Sequence, residues 1–360
     1  MGLFNRHNSP RPALGSASVR AAVGGSIVPG VLGSFVGVRN QRALSVPTVS
    51  RARDLIVSMI GALELREYAK QWTGEQWEKI GTPGPSWLDR PDPKTTRNFI
   101  MANTASDLFF EGRAFWHIST RYSTGFPASF TWVPAELVNT PDNPGPQYFR
   151  TSSKILINGV NVDPNDMVQF LSPISGFQSI AQRALDIAIR LDEAARRFAT
   201  SEIAAGYLQQ TGGEPMSGDE LAELAEAWAS NRRENAIGAL NEYVKFVEFD
   251  SNPSTLQLVE GRQHASLELA RISNIPPYLV GIATGGMTYQ NAQQARQDLY
   301  LFGAKPYIEA IQQTLSGPNV IPRGRHLEFD VDSYLTDSHI VVDEVATEPA
   351  ADDRTGEPAP

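Results

Sequence analysis

Apolar residues recur at intervals of three and four from Pro47 onward, which is the spacing of one face of a helix. Proline is favoured in the first turn of a helix, so the pattern predicts that the ordered part of the chain begins near residue 45. The elements predicted next are a strand at Leu63–Tyr68, a loop through Trp72, Trp77 and Trp87, and a helix at Thr96–Glu111 that ends at Gly112.

Short runs of β-branched and aromatic residues follow this helix. Ala114–Ser119 and Phe130–Val133 are separated by turn residues at Gly125–Pro127, which predicts a β-hairpin. Further strands are predicted at Tyr148–Arg150, Ile155–Ile157 and Met167–Phe170. Residues 45–178 are therefore expected to form a mixed α/β block.

The pattern changes at Ser179, where a long stretch without glycine or proline begins. Within residues 179–204, Asp186 precedes Arg190 and Glu193 precedes Arg197 by four positions, which favours an exposed, self-supporting helix. A small β-α-β insert follows, with strands at Tyr207–Gln209 and Tyr243–Phe249. The helix between them begins with the capping box Ser217–Glu220, and its apolar face consists of Leu221, Leu224, Ala225 and Trp228.

The last third of the chain returns to helical patterns. A helix is predicted from Leu258 to Ser273, and it stops before two prolines. A glycine-rich run, Gly281–Met287, leads to a long helix at Tyr289–Leu315 that is capped by Thr288 and bent at Pro306. A closing strand is predicted at His326–Val331. The two helices that flank the insert lack enough surrounding sequence to cover their apolar faces, so we expect neighbouring subunits to cover them.

The two ends of the chain differ in charge from its middle. Residues 1–44 carry five arginines and no acid, whereas residues 336–360 are rich in acids. Neither end shows a helical or strand period, so both are predicted to be flexible arms. The short acidic end does not predict a large helical domain at the C-terminus.

The composition restricts the possible functions. The chain has 31 Lys and Arg against 40 Asp and Glu, which gives a net charge of −9. This charge disfavours tight binding of a polyanion such as a nucleic acid over a broad face of the protein. It does not exclude a nucleic acid that only passes along the protein. The absence of cysteine excludes thiol catalysis, zinc–thiolate sites and disulfides. The apolar run Ile27–Val38 is too short to span a bilayer. We therefore expect a soluble intracellular protein that does not enter a membrane.

Motifs for catalysis or for metal binding are missing from the sequence. The histidines lack metal-binding spacing, and His117, which lies in a predicted strand, is expected to be a core residue. Gly281–Gly286 lacks the lysine of a phosphate-binding loop. Asp330, Asp332 and Asp337 could bind a divalent cation, but they lack the spacing of a calcium loop and fit solvated carboxylates better. We predict no catalytic residue, no metal and no cofactor. The five histidines are His7, His117, His264, His326 and His339.

Four segments resemble, in order, those of the HK97-like portal proteins of tailed bacteriophages. They are Leu108–Ile118, Ala270–Gly281, Thr288–Gln294 and Lys305–Glu309, and the similarity spans roughly residues 45–335. The chain departs from the family in three places, one of which is a C-terminal region that is too short and too acidic for a large helical crown. Arg113 replaces the asparagine of a Gly-Asn-Ala triplet, and Ile272–Ile275 lacks the usual Phe-Gly-Val before the prolines.

The resemblance implies a ring of about twelve copies at one capsid vertex, with double-stranded DNA passing through its centre. It also assigns a role to each predicted segment. These roles are a flexible basic arm (1–44), a mixed α/β wing (45–178), stem helix 1 (179–205), a clip (206–255), stem helix 2 (256–274), a tunnel loop (275–288), a kinked tunnel helix (289–315), a wing return strand (316–335) and a flexible acidic tail (336–360).

The same resemblance implies site residues and partners. The tunnel loop would face the DNA with uncharged side chains, and the clip would present an apolar interface. The implied partners are further copies of the chain, DNA, the terminase large subunit, a head–tail adaptor, the major capsid protein and scaffold, with assembly in the host cytoplasm. The implied site residues are Thr284, Gly285, Gly286, Met287 and Thr288 in the loop, and Leu221, Leu224 and Trp228 in the clip.

Two other functions stay open at this point. One is another ring-forming head–tail connector or a scaffold component. The other is a metal-dependent nucleic-acid-processing enzyme that uses the acids between Asp330 and Asp337.

Overall fold

The computed structural model describes residues 11–12, 38–200, 206–233, 242–248, 257–282 and 292–336. The α-helices within these ranges are α1 (Val38–Leu44), α2 (Pro47–Ala62), α3 (Arg97–Glu111), α4 (Phe177–Ile180), α5 (Gln182–Thr200), α6 (Gly218–Arg233), α7 (Leu258–Ile272), α8 (Ala292–Asp298), α9 (Lys305–Leu315) and α10 (Asp332–Leu335). The strands are β1 (Arg11–Pro12), β2 (Leu65–Trp72), β3 (Trp77–Thr82), β4 (Arg113–Arg121), β5 (Pro127–Val133), β6 (Val138–Asn139), β7 (Ile155–Ile157), β8 (Val160–Val162), β9 (Met167–Leu171), β10 (Gly206–Gln210), β11 (Val244–Glu248) and β12 (Arg325–Phe329). The predicted α+β class is confirmed.

The strands pair antiparallel throughout the described ranges. Strand β4 is central in the largest sheet, where it pairs with β1, β5 and β9. A second sheet has the order β12-β2-β3, a third has the order β6-β7-β8, and β10 pairs with β11. The predicted hairpin of β4 and β5 is confirmed, and the strand His326–Val331 is found slightly earlier as β12.

The main core lies between β4 and the helices α2 and α3. The fully buried ring of Trp116 packs against Phe130 and Phe170, with ring centroids 5.3 and 5.0 Å apart. Its indole N–H donates to the Thr104 hydroxyl at 2.7 Å, so the polar atom placed in this core has a partner. Helix α3 begins at Thr96, whose side chain accepts from the Phe99 amide, and ends at Gly112, which has the left-handed φ of 73°.

The prediction of a flexible arm over residues 1–44 was wrong for Arg11–Pro12, which pair with β4, and for its last part. Helix α1 occupies Val38–Leu44, and the side chain of Ala43 is fully buried. Asn40 donates to Glu136 at 2.6 Å and accepts from Gln178 at 2.8 Å. These partners are far away in sequence, so the local pattern of residues 38–44 could not reveal them.

The predicted tryptophan loop was also wrong. Strands β2 and β3 form a hairpin in which Trp72 lies opposite Trp77, and their ring centroids are 5.5 Å apart. Gly74, with φ of 101°, lies in the turn between them. Trp87, in contrast, is buried against Phe130, with ring centroids 5.0 Å apart.

The strand predicted at Tyr148–Arg150 does not form. The ring of Tyr148 instead covers the guanidinium of Arg113, which lies 4.5 Å from the ring centroid. This contact joins the loop between β6 and β7 to β4 and therefore leaves no signal in the local pattern of residues 148–150.

None of the helices in the ranges given above combines the length and the apolar character needed to cross a bilayer.

Candidate subunit interface and channel elements

Helices α5 and α7 lie side by side and cover part of each other's apolar surface. Leu185 and Ala188 of α5 are buried. At Gly261 of α7, a Cβ atom would lie 3.5 Å from the side chain of Leu191, and Arg262 pairs with Asp192 at 2.7 Å. The expectation that the apolar face of residues 179–204 lacks cover within its own chain is therefore wrong for this side of α5.

Three apolar side chains in and next to the helix pair, which we call the exposed stripe, are not covered. Ile180 at the end of α4 and Ile187 of α5 are 53% and 47% exposed, and Val259 of α7 is 62% exposed. A groove of about 780 Å³, which Val259 helps to line, lies between the start of α2, the two helices and residues 280–282. The exposed stripe and the groove are the surface of the helix pair that a neighbouring subunit could cover.

The charge pairs of α5 agree with the sequence prediction only in part. Glu193 and Arg197 form the expected ion pair at 2.8 Å, and the Arg197 guanidinium lowers the pKa of Glu193. Asp186 instead pairs with Arg42 of α1. The predicted Asp186–Arg190 pair is thus replaced by a contact that holds α1 against the helix pair.

The insert between the helices has the predicted β-α-β order. Strands β10 and β11 pair antiparallel from Gly206 opposite Glu248 to Gln210 opposite Val244. The capping box at the start of α6 is present, because the Ser217 amide and hydroxyl donate to Glu220 at 2.8 and 2.9 Å. The Glu220 amide donates back to the Ser217 hydroxyl at 3.3 Å. These hydrogen bonds lower the pKa of Glu220.

The three predicted clip residues occupy different environments. Trp228 is half-buried against Phe246 of β11, with ring centroids 5.6 Å apart, and Leu224 is also half-buried. Leu221 is 45% exposed. Trp228 therefore holds the insert together, and Leu221 is the member of the set that is available to a partner.

The predicted tunnel-loop residues Thr284, Gly285, Gly286, Met287 and Thr288 lie outside the described residues. The structure does define what flanks segment 283–291. A 3₁₀ turn at Pro277–Val280 precedes it, ending at Gly281 with φ of 84°, and α8 follows it. The Tyr278 hydroxyl donates to Asp298 at 2.7 Å and so joins the two flanks. Burial and the Asp298 carboxylate raise the pKa of Tyr278 to about 12.

The predicted long helix is interrupted by a π-helical turn. Leu299–Ala304 forms this turn between α8 and α9, and Pro306 lies in the first turn of α9. A proline at 306 cannot donate to the Phe302 carbonyl, which an α-helix would require. The side-chain amide of Asn274 donates to that carbonyl instead, at 2.8 Å. The irregularity therefore begins before the proline, and a residue of the preceding loop stabilises it.

The residues considered for metal-dependent chemistry do not form a site. Asp330 accepts from Arg66 at 2.7 Å and from the Ser333 amide at 3.3 Å, and Asp332 begins α10. No group of three or more potential metal ligands occurs in the ranges that the structure describes.

The histidines lie in separate environments. His117 is buried, as expected, His264 is exposed on α7, and His326 stacks on Tyr68. Asp337, His7 and His339 lie outside the described residues.

The elements described so far define a structural subunit: a mixed α/β body, two helices around a β-α-β insert, and a long interrupted helix. The family model for the phage portal protein matches residues 47–339. The chain belongs to the phage portal protein family, and the resemblance drawn from the sequence motifs is confirmed.

Known proteins agree with this assignment. Over 322 residues the chain is 26% identical to a probable portal protein of Streptomyces phage phiC31, covering 81% of this chain and 68% of that protein. The crystal structure of an HK97 family phage portal protein from Corynebacterium diphtheriae has a TM-score of 0.66 and 26% identity, over 83% of this chain and 96% of that one. A chain in the neck of a native GTA particle, computed with C12 symmetry, has a TM-score of 0.56 and 15% identity, over 91% of this chain and 87% of that one. At this identity the similarity supports a shared fold and no more.

Membership in the portal family decides between a structural protein and an enzyme. The chain is a structural protein of the virion that forms the portal ring at a capsid vertex, and it is not an enzyme. The alternative of a metal-dependent enzyme is therefore wrong, and the portal assignment replaces that of another connector or scaffold component.

Proposed function

We propose that about twelve copies of this chain form a ring whose central channel carries double-stranded DNA into and out of the capsid. The observation that carries this proposal is the arrangement of the channel elements in a chain of the portal family. Helices α5 and α7 flank the insert, and the tied flanks of segment 283–291 lead directly into the interrupted helix. We assign α5 and α7 to the stem, residues 206–255 to the clip, and α8 to α9 to the tunnel helix.

The exposed stripe on the helix pair is the proposed contact between subunits. A ring with one kind of interface is heterologous, so each subunit needs two different surfaces that fit each other. Ile180, Ile187 and Val259 supply exposed apolar side chains, and the groove that Val259 helps to line offers a concavity. Electron microscopy of the purified protein tests the ring, and a stable monomer at micromolar concentration would contradict it.

The clip is the proposed docking surface for the terminase large subunit during packaging and for a head–tail adaptor afterwards. Leu221 and Tyr207 are 45% and 47% exposed on the insert, which supports an apolar contact there. The wing, residues 45–178 with 316–335, would then face the major capsid protein and scaffold during assembly in the host cytoplasm.

Segment 283–291 is the proposed contact with DNA. Its predicted residues Thr284 to Thr288 carry no charge, so they can touch the phosphate backbone without holding it. The net charge of −9 per subunit is multiplied around a ring and produces a negative field, which also opposes tight binding. Both properties suit a channel that must let DNA slide.

Added positive charge in the loop tests this function. The variant Gly285→Lys/Gly286→Lys should slow or stall packaging at low salt, and the effect should fade as salt rises because phosphate binding weakens. The matched control is Val160→Lys/Asn161→Lys, which adds the same charge to exposed positions of β8 in the wing. The measurement is the length of DNA packaged in vitro by rings of each variant. If the loop variant forms rings and packages like the control at low salt, the loop does not face the DNA.

A further inference from the structure

Helix α5 has an outer face that points away from α7. Asp192 pairs with Arg262 of α7 at 2.7 Å, so this residue marks the side of α5 that meets α7. At about 3.6 residues per turn, Arg190 and Ile187 lie about 160° and 140° around the helix axis from Asp192. Arg183, one turn before Ile187, shares their side of the helix. Arg183, Ile187 and Arg190 are all exposed, and we call them the outer face of α5.

Helix α7 has an outer face on the opposite side of the pair. Glu260 and Gln263 lie about 160° and 100° around the axis of α7 from Arg262, the residue that meets α5. Val259 lies one turn before Gln263. All three are exposed and line the groove described above, and we call them the outer face of α7. The helix pair therefore presents one outer face on each of its two sides.

The two outer faces carry charges of opposite sign. Asp186, the predicted partner of Arg190, pairs with Arg42 instead, and Arg190 forms no ion pair within the described ranges. Glu193 lies near Arg190 but forms its ion pair with another residue of α5. On α7, Glu260 forms no ion pair among the residues that the structure describes. A positive and a negative charge are thus exposed on opposite sides of the helix pair.

A second copy of the chain is the partner that fits both faces. Each subunit of a ring with one kind of interface contacts its two neighbours through two different surfaces. Ile187 on one outer face and Val259 on the other are 47% and 62% exposed in a single copy, so both faces have apolar surface to bury. A neighbour offers a basic face to the acidic one and an apolar side chain to the groove.

The antiparallel course of the helices determines which residues lie level with each other. Both helices connect to the paired strands β10 and β11 at one end, so they run in opposite directions. Leu191 packs at Gly261, which places Arg190 level with residues 262–263. Copies in a ring are related by rotation alone, so a residue keeps its height in every copy. With α5 and α7 along the channel, Arg190 meets the next copy about 4 Å of helix rise from Glu260.

A second pair of opposite charges has the same spacing. Arg183 lies seven residues before Arg190, and Glu268 lies eight residues after Glu260. Because the helices are antiparallel, the arrangement that brings Arg190 to Glu260 also brings Arg183 to Glu268, which already pairs with Arg271 in its own chain. The two charge pairs therefore support the same register between neighbouring copies.

We propose that the outer face of α5 in one subunit packs against the outer face of α7 and its groove in the next subunit. Arg190 pairs there with Glu260, and Ile187 and Val259 are covered in the same contact. This inference rests on the ring of the proposed function and identifies which surfaces meet in it.

Charge exchange tests the pairing. Arg190→Glu and Glu260→Arg should each raise, by about fivefold, the protein concentration at which half of the chains are in rings. The double variant should restore the wild-type value, and the effects should weaken as salt rises. Mass photometry over a dilution series gives this concentration. Lys154→Glu, at an exposed lysine near the third sheet, is the matched control and should change nothing.

Disulfide cross-linking tests the register, because the chain has no cysteine of its own. Arg190→Cys with Gln263→Cys should give a ladder of covalent multimers on a denaturing gel after mild oxidation. Within one subunit the two positions lie on opposite sides of the helix pair, so only contacts between subunits produce the ladder. The control is Arg190→Cys with Arg271→Cys, which is exposed on α7 about 12 Å further along, and it should give none.

The outcomes separate this contact from the ring itself. Rings that form normally but show no charge coupling, and no ladder beyond that of the control pair, would overturn the contact and leave the ring standing. Absence of rings from the wild-type chain would overturn the proposed function together with the contact.

Discussion

Arg113 joins two sheets of the mixed α/β body, and its replacement is the sharpest test of how this body is held together. Its guanidinium contacts the rings of Phe115 and Tyr148, at 5.3 and 4.5 Å from their centroids. It donates to the Thr140 hydroxyl at 2.6 Å and to the Val138 carbonyl at 3.2 Å. Burial lowers the pKa of Arg113, but an arginine stays charged at neutral pH.

The contacts of Arg113 determine by how much Arg113→Ala should lower the free energy of unfolding. Each hydrogen bond from a charged donor contributes about 1.5–3 kcal/mol, and each cation–π contact contributes about 0.5–1 kcal/mol. The sum is an upper limit, because solvent can reach the vacated site and hydrate the groups that lose their partner. We expect the free energy of unfolding to fall by about 3 kcal/mol. Arg113→Lys keeps the charge but not the planar fork, so it should cost about 1–2 kcal/mol.

The assay combines urea unfolding with amide hydrogen exchange. Exchange should rise selectively in the sheet of β6, β7 and β8 and in residues 140–150, because Arg113 ties these to β4. Arg150→Ala is the matched control, since this arginine is exposed in the same loop. If Arg113→Ala unfolds at the same urea concentration as the control, with unchanged exchange in residues 138–162, the inference that Arg113 holds the two sheets together is wrong.

Two further predictions concern the β-α-β insert and the flanks of segment 283–291. Trp228→Ala should destabilise the insert by about 2 kcal/mol, less than a fully buried tryptophan, because Trp228 is half-buried on Phe246. Amide exchange over residues 206–248 measures this, and unchanged protection would contradict it. The pKa of Tyr278 is raised from its ordinary value near 10 to about 12, so its hydrogen bond to Asp298 stabilises the fold below pH 10 and is lost as pH rises through about 12. Burial also raises the pKa of Tyr307, so ultraviolet titration of Tyr278→Phe should show one late-ionising tyrosine fewer than the wild type, and an unchanged late phase would refute the bond.

Local signals in the sequence predicted most of the secondary structure. The capping box at Ser217, the cap at Thr96 and the glycine at 112 act within one helical turn, so the sequence around each is enough to reveal it. Helix α1 was missed because Asn40 is held by Gln178 and Glu136, residues about a hundred positions or more away. The hairpin of β2 and β3 was missed because its exposed tryptophans do not alternate with buried residues along β3.

The candidate site could be predicted only as far as it depends on element order. The sequence predicted the helices around the insert and the apolar face of α6, since these follow from periodicity. It could not predict that Trp228 packs within the insert while Leu221 is exposed, because that depends on where β11 places Phe246. It also predicted an uncovered face on α5, although α7 covers one side of that helix.

The loop that follows α7 shows how a departure from a family pattern can keep its physical role. In the family pattern, Phe-Gly-Val comes directly before the two prolines. In this chain that position is occupied by Ser273, Asn274 and Ile275, so Asn274 stands where the family has glycine. Asn274 has a φ of 57°, in the left-handed region that glycine adopts freely and asparagine tolerates better than most residues. Asparagine adds an amide that glycine lacks, and this amide donates to the Phe302 carbonyl, which Pro306 leaves without its α-helical donor. The replacement therefore preserves the turn and also stabilises the π-helical start of the bend, a link that no pattern local to either segment could show.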